Sequence, residues 1–412
     1  MSSNRDKYSA NELEEIRKML GENLGNDSNH AEKILSSRFT AAEEKEDEEP
    51  EIIEDEDKFN QGRSGPKVDV AAVIKSRDLP TMIEAIPSVR EDETQIRQII
   101  AAILKHPDVK SFHLVEALSK VKDDVQLVNA LVHGIISRKG VNPLIEALKY
   151  STCSPQAMKS LAQAVADQGT VNHVLRAIAS SPRDQPEAEM SWAMEVIGKG
   201  SMEQILEAMN LIEDMSPGTV ILATGLVNRK EVIVEPLVRA MGNCRKNDKA
   251  MAILIVRLVK MVDTPSLVSV LEKYVSDSTE AGEIVAAQLV YKVAREPSRR
   301  SLLASACRRV KTDSMTAQLI AGGIIRHRDA ELLEKSYSRL GTSPTAQKMV
   351  ALEIVNKKGK IMALRSLGKN VWEMIKNQGE IKTSIRKTDE RYQWLLINRL
   401  KLDPKFGYPK KE

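Results

Sequence analysis

Aromatic residues are scarce in this 412-residue chain, at 3% of the total. Large single cores draw much of their buried area from such rings, so a globule organised around one aromatic core is disfavoured. Cysteine is scarcer: Cys153, Cys244 and Cys307 are odd in number and far apart. That pattern fits neither a disulfide framework nor a set of metal ligands, and a reducing compartment is the simpler reading. Long apolar runs are missing. The most apolar stretch, Ala250 to Val262, is broken by Arg257 and Lys260 and falls short of the roughly 20 residues needed to cross a bilayer. The first residues, Met1 to Lys7, contain no apolar signal core. Together these absences predict a soluble, cytoplasmic protein with no membrane span.

Signatures of catalysis are equally thin. The histidines, His30, His106, His113, His133, His173 and His327, form no His-x-x-x-His pair and lie at no ligand spacing from a cysteine. His173, at a helix start, and His327, in a basic turn, read as surface or partner-facing groups. Gly198-Lys199-Gly200-Ser201 lacks the earlier glycine of a phosphate-binding loop and reads as a helix end. Cys307 precedes Arg308 and Arg309, which could activate a thiol, but a buried structural cysteine is the better reading. The Gly322-Gly323 pair reads as a close helix approach. No catalytic residue, metal or cofactor is expected, and the chain is read as a non-enzyme.

What the sequence does contain is repetition. The clearest copies are Ile83-Glu84-Ala85-Ile86, Val115-Glu116-Ala117-Leu118, Ile145-Glu146-Ala147-Leu148, Leu175-Arg176-Ala177-Ile178 and Leu206-Glu207-Ala208-Met209. Weaker ones follow at Val238-Arg239-Ala240-Met241, Val268-Ser269-Val270-Leu271, Leu303-Ala304-Ser305-Ala306, Leu333-Glu334-Lys335-Ser336 and Leu364-Arg365-Ser366-Leu367. Successive starts differ by 32, 30, 30, 31, 32, 30, 35, 30 and 31 residues. A fixed period of this size marks stacked supersecondary units. Between the cores lie second helices ending in basic residues and Gly, as at Gly140, Gly169, Gly200 and Gly359, where a left-handed glycine cap is expected. Ser154-Pro155, Ser216-Pro217, Thr264-Pro265, Glu296-Pro297 and Ser343-Pro344 mark helix starts. Each unit is therefore an antiparallel pair of helices, each roughly 10–14 residues long.

The Leu/Ile-x-Ala-Leu/Ile cores resemble the HEAT-like, armadillo-type superfamily in its short bacterial form of about 31 residues, typified by the repeats of phycobilisome lyases. The resemblance covers residues 68–379 and implies a right-handed α-solenoid that binds or scaffolds other proteins. Lyase activity would require a chromophore and a partner subunit, which nothing in the sequence announces. Some HEAT-like folds are DNA glycosylases, but these need an acid in a basic, aromatic-lined cleft, and aromatics are few.

The expected architecture is all-α, about ten stacked helix pairs at 67–379. A 1–66 arm precedes it, with a short amphipathic helix at 11–24 that could dock in cis or in trans. A capping helix and basic tail at 380–412 follow, with Trp372 and Trp394 in the closing layers. Glu43 to Asp57 holds eleven acidic residues and one lysine and is expected to be disordered. The segment from Ser343 onward carries sixteen Lys/Arg against seven Asp/Glu, so the chain is polarised although its net charge is only +3.

Two surfaces are candidates. The second position of each core aligns as a ladder: Glu84, Glu116, Glu146, Arg176, Glu207, Arg239, Ser269, Ala304, Glu334 and Arg365. Such a ladder could orient an elongated protein partner with an acidic or extended segment along the superhelical face. A basic patch comprises Arg299, Arg300, Arg308, Arg309 and Lys311, then Lys357, Lys358 and Lys360. It could take an acidic protein, the chain's own acidic arm, or, as an alternative reading, nucleic acid or another anionic surface. With few stacking aromatics and no base-reading module, the adaptor reading leads.

Overall fold

A computed structural model describes residues 69–359, 367 and 376–407, apart from 91, 122, 183–184 and 277–278. The expected helix at 11–24, the acidic segment and Trp372 lie outside the described residues. All regular secondary structure among the described residues is helical, with twenty α-helices. The chain divides into two compact units, Met1–Ile212 and Glu213–Glu412. The repeat spacing does not mark this boundary, since the period from Leu206 to Val238 is as regular as its neighbours.

The first unit holds α1 (Val70–Ser76), α2 (Leu79–Ala85), α3 (Glu93–Lys105), α4 (Ser111–Lys120) and α5 (Val125–Ser137). It continues with α6 (Val141–Leu148), α7 (Pro155–Gln168), α8 (Val171–Ser180), α9 (Pro186–Lys199) and α10 (Met202–Leu211). The second holds α11 (Pro217–Asn228), α12 (Val234–Asn243), α13 (Asp248–Met261), α14 (Thr264–Lys273) and α15 (Glu280–Arg295). Then come α16 (Ser301–Cys307), α17 (Met315–His327), α18 (Ala330–Tyr337), α19 (Pro344–Lys358) and α20 (Gln378–Trp394). A π-helical turn at Leu395–Leu400 and a 3-10 turn at Pro404–Gly407 follow.

Helices pack on their next-but-one neighbours. In the first unit α1, α3, α5, α7 and α9 form one row, and α2, α4, α6, α8 and α10 form another. In the second, α11, α13, α15, α17 and α19 form a row, as do α14, α16 and α18. The two rows differ in length, which the sequence did not suggest. The cores occupy the short row, whose helices span 7–10 residues. The long row, from α3 on, spans 12–16.

The core pattern follows from helix geometry. Its first, third and fourth positions share one face, and in the five clear copies all three are buried, while the second is exposed or half-exposed. Alanine at the third position is fully buried in four of them: Ala117, Ala147, Ala177 and Ala208. Its small side chain lets neighbouring backbones approach. Each fully buried Leu or Ile contributes about 1.5–3 kcal/mol.

Polar ties one period apart hold the loops in register. Arg138 donates to the carbonyls of Val109 and Leu104 at 3.3 and 3.1 Å. Lys292 donates to the Val262 carbonyl at 2.5 Å, and Ser343 to that of Thr312 at 2.6 Å. Asn247 donates to the Asp214 and Ser216 carbonyls at 2.9 and 3.3 Å, and also caps α13.

Several expected helix ends differ. Ser154 and Ser216 cap their helices as expected. At Thr264 the cap is one residue earlier, on Asp263; Glu296-Pro297 opens only a 3-10 turn; and the Ser343 hydroxyl is turned away to Thr312. Gly169 and Gly200 are extended, with φ of −96° and −79°, so they are not left-handed caps. Glycine is required there for another reason. A Cβ would lie 2.5 Å from the carbonyl oxygen of Val165 or Val196, in the last helical turn. The left-handed positions fall on Arg77, Lys139, Arg328 and Lys401, and among glycines on Gly359.

Among the described residues, those after α19 do not add one more layer. Instead α20 lies across α17 and α19, and the two turns after it pack on α15. That strap explains α15, where twelve of sixteen residues are buried: neighbouring helices cover its flanks and the strap covers its outer side.

Candidate interaction surface

The short-helix row presents the ladder. Glu84, Glu116, Arg176 and Glu207 are exposed and Glu146 is half-exposed, on the successive helices α2, α4, α8, α10 and α6. Glu146 is held by Lys149 at 2.9 Å, and Arg176 donates to Asn142 of the preceding repeat at 3.2 Å. In the second unit Arg239 is exposed on α12 and Glu334 is half-buried on α18. The ladder breaks at α16, where Ala304 is fully buried: with Leu303, Ala304, Ala306 and Cys307 all buried, the outward position of that helix is Ser305, one residue later than the pattern placed it. Arg365 lies outside the described residues.

The basic patch is largely answered by carboxylates of the same chain. Arg299 pairs with Glu296 at 2.9 Å and Arg300 with Asp329 at 2.8 Å. Arg309 pairs with Glu272, and Lys358 with Glu334, which joins the patch to the ladder. Arg308, Lys311 and Lys357 are exposed, and Lys360 lies outside the described residues.

A third surface was not singled out from the sequence. Glu280 and Glu283 stand in the first turn of α15, where the helix dipole favours negative charge. Arg399 donates to both oxygens of Glu280, at 2.9 and 3.1 Å. Arg391 donates to Glu283 at 2.7 Å. Both guanidinium groups lie over the Trp394 ring, 4.4 and 5.4 Å from its centre. On α17, Arg326 pairs with Asp389 and sits 4.2 Å over the Tyr392 ring. Tyr392, Leu395, Leu396 and Leu400 are buried beneath these pairs. The legible signal was α15 itself, which is apolar on nearly every side from Ala281 to Ala294. A helix of that kind is covered all round.

Burial pushes the thiols of Cys244 and Cys307 up to about 12, and raises that of Cys153. Such thiols are poor nucleophiles. Burial, then Arg300, holds His327 below the ordinary histidine value. His113 and His173 accept from the backbone N–H groups of Lys110 and Thr170, at 3.1 and 3.2 Å, and so close helix starts. Among the described residues no group of three or more His, Cys, Asp or Glu could hold a metal ion. No helix there is long and apolar enough to cross a membrane.

No protein-family model, curated protein or solved structure matches this chain.

Proposed function

We propose that the protein is a non-enzymatic, cytoplasmic interaction scaffold of the HEAT-like, armadillo-type kind, its helix pairs wound as right-handed α-solenoid. It binds an extended segment of a partner protein along its helix rows. The supporting observation is the division of the five clear cores: three positions are spent on burial, while the second stays outside on α2, α4, α6, α8 and α10, carrying acidic and basic groups in fixed order. A ladder of this kind gives register and orientation more than raw affinity. The alternative, nucleic-acid or anionic-surface binding by the basic patch, is weakened because Arg299, Arg300, Arg309 and Lys358 already hold carboxylates.

The test compares wild type with an E116K/E146K/E207K variant in affinity capture from the native cell. A protein captured by wild type and lost from the variant supports the scaffold. Retention on heparin that falls steeply with salt, together with capture unaffected by the ladder changes, would move the function to the anionic-ligand reading.

A further inference from the structure

The strap is docked with a good fit at its charged contacts and a poor one between and beyond them. Its fit is the pairing of Arg391 and Arg399 with Glu283 and Glu280. Its misfit begins with exposure: Trp394 and Ile397 remain 39% and 52% exposed although their neighbours are buried. The segment Leu395–Leu400 adopts a π-helical turn, a rare geometry that recurs at functional sites. Just beyond it Lys401 takes a left-handed conformation, and its charge bears on that of Lys260 on α13, like against like. The Arg257 Nε is buried there without an acceptor. Along α20 itself only Ile381, Thr388 and Tyr392 are buried, so most of this helix adds little apolar anchorage. Beneath Thr388, Gly322 leaves a shallow seat: a Cβ there would meet the Thr388 methyl at 3.4 Å.

We propose that the outer face of α15 and α17 is a receptor for a basic, aromatic-bearing helix of a partner protein, and that residues 388–401 are its exchangeable resident occupant. This deepens the scaffold reading and rests on it. The incoming helix carries two arginines placed like Arg391 and Arg399, with an aromatic ring between them. It places an acidic residue where the strap has Lys401, so that Lys260 gains a counter-charge. Such a helix keeps the Glu280–Glu283 contacts and repairs the misfit, which is what lets it win against a covalently tethered competitor.

The test uses the full chain as wild type, R391E/R399E and K401E, with a labelled peptide of residues 386–403 carrying K401E as the probe. Charge reversal at the two arginines repels the strap from Glu280 and Glu283, so amides 388–400 should exchange at least about tenfold faster. The probe should bind R391E/R399E at least about tenfold more tightly than wild type, and more weakly at about 0.5 M salt than at about 0.05 M. K401E in the full chain, a single exposed change, should slow exchange of the same amides. Equal binding of the probe to wild type and R391E/R399E would overturn the proposal, as would faster exchange in K401E. These outcomes leave the ladder untouched. If the E116K/E146K/E207K variant keeps every captured protein while the probe behaves as stated, the scaffold reading fails at the ladder and the receptor face stands.

Discussion

Two adjacent glycines of α17 should respond oppositely to the same substitution. A Cβ at Gly323 would lie 2.6 and 2.9 Å from the two methyl carbons of Val290 and 3.3 Å from its Cβ. Val290 is 2% exposed in the middle of α15, and α15 is packed on both flanks and beneath the strap, so neither helix has room to retreat. Overpacking of this kind costs about 1–3 kcal/mol, and the gain from Gly to Ala in a helix returns about 1 kcal/mol, leaving G323A up to about 2 kcal/mol less stable. At Gly322 the nearest atom is the Thr388 methyl at 3.4 Å, an ordinary contact. G322A should therefore be neutral or stabilised by up to about 1 kcal/mol. Hydrogen exchange of the α15 and α17 amides reads these local free energies without assuming one global transition. In a V290A background the cost of G323A should vanish, because the opposing methyl groups are gone. If G323A is at least as stable as G322A, the close approach of α15 and α17 is wrong.

Three further outcomes follow from single residues. His327 is held below its ordinary value of 6.5 by burial. The unfolded chain therefore takes up this proton first, and stability is lost as pH falls from 6.5 towards the folded value. H327Q should flatten that slope in α17 amide exchange between about pH 5 and 8, and an unchanged slope would contradict it. N247A loses the cap of α13 and takes a donor from the Asp214 and Ser216 carbonyls, the latter still held by the Thr219 N–H, so it should cost about 1–3 kcal/mol in exchange of the α13 amides. A cost under about 0.5 kcal/mol would show that these bonds hold nothing. Brief alkylation of the native protein at about pH 8, followed by peptide mapping, should modify Cys153 and spare Cys244 and Cys307. Modification of Cys307 without unfolding would contradict its burial.

Much of the fold was legible because one short pattern sets it. The buried alanines Ala117, Ala147, Ala177 and Ala208 recur at the repeat period, and their helices lie where the pattern places them. The helix starts were partly legible, since Ser154 and Ser216 could be read from a polar residue before proline. The glycines were misread: sequence shows a glycine after a helix, but not whether it serves a left-handed turn or a close carbonyl, as at Gly169. The ladder was legible as spacing, and failed at Ala304 because the weak copy there, Leu303-Ala304-Ser305-Ala306, lies one residue out of register with the buried stripe, which leaves Ser305 outward. The strap was hidden for a related reason. Arg391 and Arg399 meet Glu283 and Glu280 across more than one hundred residues of chain, and only the two-sided apolarity of α15 hinted at a cover. The ion pairs that quiet the basic patch, such as Arg309 with Glu272, are likewise invisible to a count of charges.

The central claim is that each helix pair buries its apolar stripe against the next copy. It is tested most directly by excision within the first unit. Removing residues 140–169 takes out one whole period and joins the end of α5 to the start of α8, where Thr170 replaces Gly140 at an equivalent helix start. Stacking predicts unchanged helicity per residue by circular dichroism and a cooperative urea transition, whereas removing only 155–169 should abolish both, because the rows fall out of alternation. If the half-period deletion folds as well as the full-period one, or if both unfold alike, neighbour-on-neighbour burial is not what holds this chain together.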